Sequence, residues 1–366
     1  MKKLKVIISG GGTGGHIFPA IAIAKSLENK VDNIELLFVG AKDRMEMQRV
    51  PEAGYKIKGL WISGFQRSFS SRNLMFPFKL ISSVFKSMII VRRFKPDLVI
   101  GTGGFASGPL LFAASRKGVP SVIQEQNSYP GITNKLLSKY VNKVCVAYDK
   151  MERFFPKDKI IFTGNPIRKA ILDFKNKREE GKKLFGVDNG KITILVVGGS
   201  LGARTINESI NKNLSEFKNH SLNLIWQTGT IFGESAKNSI TDLNVDGISS
   251  HMFIKKMDLA YAASEIIVSR AGAIAISELC YIGKPVILVP SPNVAEDHQT
   301  QNAQSLVNKN SALMVKDVDA NRKLVSELIS LSKNKDLQEL LSSNIRKLSI
   351  DDASVRIADL ALKLVK

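Results

Sequence analysis

Short β-branched runs that end in glycine-rich turns and lead into helices recur along this chain, and they restrict its fold more than any other feature. The first run, Lys5–Ser9, predicts a strand buried on both faces. Five glycines follow between Gly10 and Gly15, and Pro19 is predicted to lie in the first turn of a helix. Glycines at such a junction let the backbone approach a ligand, and the N–H groups of a helix start favour an anion. We therefore expect a phosphate or diphosphate here; a tight turn that binds nothing is the alternative.

Strand-like and helix-like segments alternate throughout, which predicts parallel sheets. The predicted strands are 5–9, 34–39, 97–100, 121–124, 143–147 and 159–163, then 192–197, 222–226, 251–254, 265–269, 285–289 and 312–315. Gly164 and Pro166 separate the two series. We expect an α/β fold with two Rossmann-like domains, 1–163 and 164–350, whose parallel sheets face each other across a cleft. The helix in 351–366 is expected to pack back on the first domain.

Composition limits the class of protein. The net charge of +20, from 53 basic and 33 acidic residues, favours an acidic partner such as nucleic acid, anionic lipid or a phosphorylated substrate. Cys145 and Cys280 stand alone in apolar runs, which suits neither a disulfide nor a metal site and indicates a reducing compartment. The apolar run before Gly10 is too short for a signal peptide, and no uncharged stretch has the length of a membrane span. These features predict a soluble or peripheral cytoplasmic protein.

The glycine turn has an alternative interpretation as a dinucleotide-binding fingerprint. Gly10, Gly12 and Gly15 satisfy G-x-G-x-x-G, but the second predicted strand ends in Val39-Gly40 and Asp43 is displaced from the position that would hold a ribose. Comparable turns recur in "DLVIGTGGFASGP", "ITILVVGGSLGARTINESI" and "EIIVSRAGAIAISEL". A dinucleotide oxidoreductase does not account for the turns of the second half, so an extended phosphate-bearing ligand is favoured.

Seven motifs occur in an order typical of one enzyme family. They are "GGGTGGHIFPA", "GTGGFASGP", "EQNSYPGITN", "TGNPIR", "GGSLGAR", "SRAGAIAISEL" and "DHQTQNA", and with them the chain resembles the MurG family of N-acetylglucosaminyltransferases over essentially its whole length. The resemblance implies the two-domain GT-B fold and transfer of N-acetylglucosamine from UDP-N-acetylglucosamine to the C4 hydroxyl of the muramoyl sugar of lipid I. The product is lipid II, formed with inversion during peptidoglycan synthesis at the cytoplasmic face of the cell membrane.

The resemblance also implies partners and leaves other functions open. The expected partners are UDP-N-acetylglucosamine, lipid I, an anionic membrane surface and other cell-wall synthesis proteins, but no nucleic acid; no cofactor or metal is required. A protein that binds a nucleotide sugar without turnover is one alternative. A related GT-B enzyme that glycosylates a different lipid or a natural product is another.

Two residues are candidates for the general base that such a transfer needs. His16, at the junction of the first glycine turn and its helix, is a candidate base or diphosphate ligand, and helix capping is the structural alternative. Glu125 in "QEQN" is the second candidate base, and a hydrogen bond that fixes its loop is the structural alternative. Gln124 stands where many members of the family carry histidine, so no histidine role is transferred to it. The choice between the two bases stays open.

Substrate contacts follow from the resemblance, residue by residue. The expected contacts to UDP-N-acetylglucosamine are Thr13, Gly14, Gly15, Asn127, Arg168, Ser200, Ile254, Ala273, Ile274, Glu278 and Gln299. The expected contacts to the acceptor diphosphate are Gly14, Gly15, Gly103, Gly104 and Ser107. Glu278 would bind the ribose hydroxyls, and its apolar neighbours predict that it has a partner. The spacing in 296–303 leaves the choice of Gln299 open. Asp317 and Asp319 in "DVD" are predicted to cap a helix rather than to bind a metal.

One segment combines apolar and basic residues in a way that predicts contact with a membrane. Part of Leu74–Phe78 is expected to be exposed, because Pro77 and the consecutive apolar positions do not suit a one-sided helix. Leu74, Met75, Phe76 and Phe78 are the expected membrane contacts. Phe85, Met88 and Ile89 are predicted to be core. The surrounding cations, which include Arg67 and Arg72, favour an anionic bilayer.

Overall fold

The computed structural model describes residues 3–64, 74–188, 190–244 and 246–365. The chain divides into two compact units, one formed by Met1–Ile167 together with Asp352–Lys366 and the other by Arg168–Asp351. The boundary between them follows Ile167, whereas the sequence pattern placed it after Thr163. The basic excess is concentrated in the first unit, which carries 29 Lys and Arg against 13 Asp and Glu, while the second carries 24 against 20.

Each unit contains one sheet in which all strand pairs are parallel, so the prediction of an α/β fold with parallel sheets is confirmed. The first sheet has the order β3-β2-β1-β4-β5-β6-β7 and the second the order β10-β9-β8-β11-β12-β13. The strands are β1 (Leu4–Gly10), β2 (Ile34–Ala41), β3 (Ile57–Leu60), β4 (Leu98–Gly103), β5 (Ser121–Glu125), β6 (Lys143–Val146), β7 (Ile160–Phe162), β8 (Thr193–Val197), β9 (Asn223–Gln227), β10 (Ile248–His251), β11 (Ile266–Ser269), β12 (Val286–Leu288) and β13 (Leu313–Met314).

Helices alternate with these strands and cover the sheets. They are α1 (Gly14–Glu28), α2 (Glu46–Glu52), α3 (Phe76–Phe94), α4 (Ser107–Ser115), α5 (Ile132–Leu137), α6 (Lys169–Leu172), α7 (Arg178–Phe185), α8 (Arg204–Lys212), α9 (Leu214–Asn219), α10 (Gly233–Leu243), α11 (Met257–Ala263), α12 (Ala273–Ile282), α13 (His298–Val307), α14 (Ala320–Lys333), α15 (Lys335–Arg346) and α16 (Ala353–Leu362). Within the described ranges, no helix is both long enough and apolar enough to cross a bilayer.

The first sheet is buried on both faces because its central strands carry apolar side chains in succession. Val6 and Ile8 of β1 point to the layer that holds α1 and α16, where Ile357 is fully buried. Ile7 points to the opposite layer, which holds α3 and α4 and buries Ile90. Residues 353–362 thus complete the core of a unit whose sheet lies entirely within the first 167 residues.

The second sheet is built in the same way. Leu195 and Ile267 pack in the cluster that holds α11 and α12, whereas Ile194 and Val268 pack in the cluster that holds α8 and α14. Cys280 lies in the first of these clusters. Burial raises the pKa of its thiol to about 12, and it does the same for Cys145 in the first unit.

Three local predictions were wrong. β3 was not predicted, because its four residues contain Lys58 and Gly59 and present a weak apolar pattern. β10 ends at His251, before the apolar run 252–254 that had suggested a later strand. α1 begins at Gly14, so Pro19 lies inside the helix rather than in its first turn, which glycines and a histidine form instead.

Candidate active site

The glycine turn after β1 is anchored by a buried carboxylate. Glu46 accepts the backbone N–H of Gly12 at 2.8 Å and that of Ala41, the last residue of β2, at 2.9 Å. Its side chain is fully buried. Glu46 was missed by the sequence reasoning, since an acid in a polar run carries no signal of burial. Glu46 therefore joins the glycine turn to the carboxyl end of β2.

His16 lies in the first turn of α1 and points back into the same glycine turn. Its Nδ1 is 3.0 Å from the carbonyl oxygen of Gly11 and 3.3 Å from Oγ1 of Thr13. A carbonyl can only accept, so Nδ1 carries the proton and Nε2 is the nitrogen able to receive one. The imidazole therefore acts on the glycine turn rather than as a helix cap.

The turn after β4 packs directly against His16. Gly103 has a φ of +99°, and a Cβ at this position would lie 2.9 Å from Nε2 of His16, so only glycine fits. Thr102 Oγ1 donates to the carbonyl oxygen of His16 at 2.8 Å. Ser107 is fully buried, and its hydroxyl lies 2.9 Å from the carbonyl oxygen of Gly103 and 3.0 Å from that of Ser9. The Ser107 hydroxyl thus supports the turn that Gly103 and Gly104 form.

Glu125 ends β5 and organises the loop that follows. Its carboxylate accepts the backbone and side-chain N–H groups of Asn127 at 3.0 and 3.2 Å, the Asn134 side chain at 2.9 Å and the Gly131 N–H at 3.3 Å. Burial raises the pKa of the Glu125 carboxyl, and these four donors oppose the rise. The contacts match the loop-fixing alternative stated for Glu125.

Buried amides lie behind this loop. Gln126 Nε2 donates to the carbonyl oxygen of Thr102 at 2.6 Å, and Gln124 Nε2 donates to Asn165 Oδ1 at 2.7 Å. Asn165 Nδ2 donates in turn to the carbonyl oxygen of Gln126 at 3.0 Å. These three side chains join the ends of β4 and β5 to the segment after β7. Gln124, which replaces the histidine expected from the family, is thus part of a structural network.

In the second unit, one glutamine connects two of the predicted donor contacts. Gln227, the last residue of β9, donates from Nε2 to the carbonyl oxygen of Gly199 at 2.8 Å and accepts the N–H of Ile254 at Oε1 at 2.9 Å. Ser200 is exposed in the glycine turn that Gly199 opens. Gln227 was not predicted; the signal available was one amide at the carboxyl end of an apolar strand.

Glu278 has the partner that its apolar neighbours predicted. Arg168 donates to both carboxylate oxygens, from Nε and from Nη2, at 2.6 Å each. The Glu278 side chain is 3% exposed and that of Arg168 39%. Burial and the neighbouring Glu278 charge together raise the pKa of Tyr261. The structure thus brings together two side chains that the sequence assigned separately to the ribose and to the nucleotide.

The start of α12 presents backbone N–H groups. Gly272 is its N-cap in extended conformation, and no side chain caps the helix, so the N–H groups of Ala273 and Ile274 lack the intrahelical partners that later residues have. Asn302 Nδ2 donates to the carbonyl oxygen of Ala271 at 3.3 Å and ties α13 to this turn. Gln299 uses its Oε1 to accept the N–H of Ser291 at 2.9 Å.

The acidic pair of "DVD" does not cap α14 with its side chains, so that prediction was wrong. Asp317 accepts from Thr205 at 2.9 Å and pairs closely with Arg270. Asp319 occupies the N-cap position without a capping hydrogen bond, and its carboxylate accepts from Arg322 at 2.7 Å. The carboxylates of Asp317 and Asp319 thus interact with arginine side chains instead of with the backbone N–H groups at the start of α14.

α3 exposes an apolar stripe along its length. Leu74 and Met75 are exposed just before it, Phe76 is half-buried, and the stripe itself consists of Phe78, Ile81, Phe85 and Ile89. The prediction that Phe85 and Ile89 are core was wrong, since they are 64% and 51% exposed, whereas Met88 packs against the core. α3 therefore presents these large apolar side chains to the outside, whereas Ser83, Ser87 and Ile90 face inward. Arg67 and Arg72 lie outside the described residues.

Comparisons with known proteins cover both units. The glycosyltransferase family 28 N-terminal domain matches residues 6–146, and the glycosyltransferase family 28 C-terminal domain matches residues 193–357. A protein of Flavobacterium psychrophilum named UDP-N-acetylglucosamine–N-acetylmuramyl-(pentapeptide) pyrophosphoryl-undecaprenol N-acetylglucosamine transferase is 55% identical, covering 100% of this chain and 99% of its own length. A protein of the same name from Cytophaga hutchinsonii is 54% identical, with 100% and 98% covered.

Solved structures agree with the sequence comparisons. The crystal structure of MurG from Acinetobacter baumannii superposes with a TM-score of 0.79 at 27% identity, covering 99% of this chain and 100% of that one. A UDP-GlcNAc 2-epimerase from Neisseria meningitidis shares the fold alone, with a TM-score of 0.68 at 17% identity and coverage of 99% and 100%. The chain therefore belongs to glycosyltransferase family 28, and its resemblance to the MurG family is confirmed.

Proposed function

We propose that this chain transfers N-acetylglucosamine from UDP-N-acetylglucosamine to the C4 hydroxyl of the muramoyl sugar of lipid I, with inversion, and so forms lipid II. The observation that carries the proposal is identity of 55% and 54%, over the whole chain, to proteins named for transfer of this sugar. Each unit also supplies glycine turns at the carboxyl edge of its sheet. This is the edge at which open α/β sheets bind ligands, and both substrates carry a diphosphate.

His16 is the proposed general base. Its Nε2 takes the proton of the acceptor hydroxyl while the hydroxyl oxygen bonds to the anomeric carbon of the donor. The bond from that carbon to the diphosphate oxygen breaks, and UDP leaves with the electron pair. The Nδ1 contact to the Gly11 carbonyl fixes the tautomer before the reaction and stabilises the imidazolium after it. Gly14, Gly15, Gly103 and Gly104, with the start of α4 at Ser107, are the proposed contacts to the acceptor diphosphate.

The second unit is the proposed donor site. The N–H groups of Ala273 and Ile274 at the start of α12, with Ser200 and Arg168, meet the charge that develops on the diphosphate. Glu278 accepts the ribose hydroxyls, main-chain groups at Ile254 meet the uracil, and Gln299 binds a sugar hydroxyl. Thr13, Gly14, Gly15 and Asn127 are the proposed donor contacts of the first unit.

Glu125 is proposed as a positioning residue, and it is the next candidate base should His16 fail. The four N–H groups that converge on its carboxylate occupy both oxygens and hold Asn127 in place. A base so engaged must give up hydrogen bonds to receive a proton, which opposes proton transfer. At His16 the contact to the Gly11 carbonyl uses Nδ1 and not Nε2, the nitrogen proposed to receive the proton.

The apolar stripe of α3 is the proposed membrane contact. Its large side chains, together with Leu74, Met75 and Phe76, form an apolar surface on the unit that carries the excess of basic residues. Such a surface suits shallow insertion into an anionic bilayer at the cytoplasmic face of the cell membrane. The concentration of basic residues in the first unit supports this orientation. Other cell-wall synthesis proteins are further proposed partners.

The test combines radiolabelled UDP-N-acetylglucosamine with a short-chain lipid I analogue and with other lipid acceptors. We expect label in the lipid I analogue alone, and His16→Ala to lower turnover by about 10²–10⁴-fold with UDP affinity unchanged. His220→Ala, which removes a half-buried imidazole 3.5 Å from Glu216 in the second unit, is the matched control and is expected to retain activity. UDP binding without transfer to any acceptor would refute the proposed transferase activity. Near-normal turnover of His16→Ala would make Glu125 the candidate general base, and Glu125→Gln would then test it.

A further inference from the structure

One face of α3 is fastened along the free edge of the first sheet. Lys86 Nζ donates to the carbonyl oxygen of Gly59 at 2.7 Å, and one turn earlier Ser83 Oγ donates to that of Trp61 at 3.0 Å. A further turn earlier, Lys79 Nζ donates to Ser63 Oγ at 3.0 Å. These side chains cover the outer edge of β3 and its continuation, so the edge does not remain open. They also separate the lysine-bearing face of α3 from its apolar stripe.

Three lysines lie near Gly59 at the edge of the sheet. Lys86 reaches its carbonyl oxygen, Lys42 packs so closely that a Cβ on Gly59 would lie 2.8 Å from its Cγ, and Lys58 precedes it on β3. Lys42 and Lys58 both repel the Lys86 ammonium group, and with burial as the larger cause they lower its pKa. In the parts of the chain that the structure describes, none of these three lysines forms an ion pair. We call this set the lysine cluster.

The lysine cluster adjoins the glycine turn of the acceptor unit. Lys42 directly follows Ala41, whose N–H shares the Glu46 carboxylate with Gly12. β2 lies between β1 and β3 in the sheet, and all three are parallel, so their carboxyl ends share one edge. An acceptor whose diphosphate occupies the turn at Gly12 would therefore place its other groups within the same part of the edge.

We propose that the lysine cluster binds carboxylates of the peptide carried by the acceptor. This inference rests on the proposed function, in which the acceptor is a muramoyl sugar that bears a pentapeptide and a diphosphate. Like charges brought together without counter-ions favour an anionic ligand, and a peptide chain ends in a carboxylate. A bilayer phosphate is disfavoured as the occupant, since Lys86 is directed to the sheet edge and away from the stripe of Phe78, Ile81, Phe85 and Ile89.

Two acceptors and two exposed-charge variants test the proposal. The acceptors are a lipid I analogue with free peptide carboxylates and the same analogue with those carboxylates amidated. For Lys58→Ala and for Lys42→Ala we expect KM for the free-acid acceptor to rise about five-fold, as for one partly screened ion pair of about 1 kcal/mol, with kcat unchanged. With the amidated acceptor, KM should equal that of the wild type. Lys56→Ala removes the same charge just before β3 and is the matched control, with no change expected for either acceptor.

The possible results separate three explanations. An equal rise in KM for both acceptors would overturn the proposal, because the lysines would then not recognise carboxylates. Weaker binding of the variants to vesicles of anionic phospholipid, with unchanged discrimination between the acceptors, would overturn it in favour of a bilayer contact. Absence of transfer by the wild type would refute the proposed function instead. In that case titration calorimetry of the two acceptors still decides, and equal affinities would overturn the lysine cluster as a carboxylate site.

Discussion

The Arg168–Glu278 pair allows a prediction whose magnitude follows from its geometry. Glu278→Gln keeps the shape of the side chain but removes the charge that Arg168 meets with two hydrogen bonds of 2.6 Å. Charge-assisted hydrogen bonds contribute about 1.5–3 kcal/mol when buried. Because Arg168 is 39% exposed, water replaces part of this interaction, and we expect a loss of about 1–2 kcal/mol in the free energy of unfolding. In a unit of this size, the melting temperature then falls by roughly 2–8 °C.

The same variant tests the donor site. If Glu278 holds the ribose, Glu278→Gln weakens UDP and UDP-N-acetylglucosamine together, each by about 10-fold or more, since a charged acceptor is lost from both complexes. Arg168→Met removes the internal partner of the Glu278 carboxylate, which is then available to the ribose hydroxyls. Uridine, which has no phosphate, should therefore bind this variant more tightly than the wild type. UDP should bind the same variant less tightly, because the diphosphate loses a cation.

Titration calorimetry with uridine, UDP and the sugar nucleotide, combined with thermal unfolding, gives all of these quantities. Arg204→Met is a suitable control, because its ion pair with Glu208 is on the surface of α8 and 86% of its side chain is exposed. Unchanged unfolding of Glu278→Gln would mean that the pair contributes nothing to the fold. Unchanged UDP affinity in the same variant would remove Glu278 from the ribose.

Three further predictions concern other parts of the molecule. Gln227→Leu should weaken UDP binding by about 5–10-fold in calorimetry while the fold persists, because two main-chain groups of the proposed donor site lose their common partner. Lys284 has its pKa lowered by burial to about 8 from 10.5, so the unfolded chain binds more protons between these values. The stability of the wild type relative to Lys284→Met should therefore rise by up to about 3 kcal/mol from pH 8 to pH 10.5 in denaturant titrations, and a flat difference would contradict the shift. Replacing Phe78 and Phe85 with serine should abolish sedimentation with anionic vesicles and leave UDP binding intact; retained sedimentation would rule out the stripe as the membrane contact.

The sheets could be predicted from sequence, because their strands are continuous apolar runs. Val6–Ile8 and Ile194–Val196 carry no polar residue, and burial on both faces leaves this direct trace. β3 has no such apolar run, because this edge strand contains Lys58 and Gly59 and is held by β2 on one side and α3 on the other. Gly14 and Gly15 concealed the start of α1 for a similar reason: their helical state depends on the packed turn and not on helix propensity.

Candidate site residues could be found where a motif marks them, but their partners could not. Glu46, Gln126 and Gln227 act on main-chain groups of other segments, 34, 24 and 28 residues away. Nothing local in the sequence distinguishes these side chains from surface polar residues. Phe85 and Ile89 were wrongly predicted to be core, because the apolar spacing along a helix is the same whether the stripe faces a core or a partner.

The position of α16 has a consequence for synthesis on the ribosome. Ile357, Ala358 and Ala361 cover one face of a sheet whose strands are complete by Phe162, and the whole second unit is translated between them. Residues 168–351 can thus close their core while the first unit still exposes Val6 and Ile8. The nascent first unit therefore stays incomplete until almost the entire chain has been made, with apolar surface open to chaperones or to premature association. A chain truncated after residue 351 should accordingly contain a protease-resistant second unit and a protease-sensitive first unit.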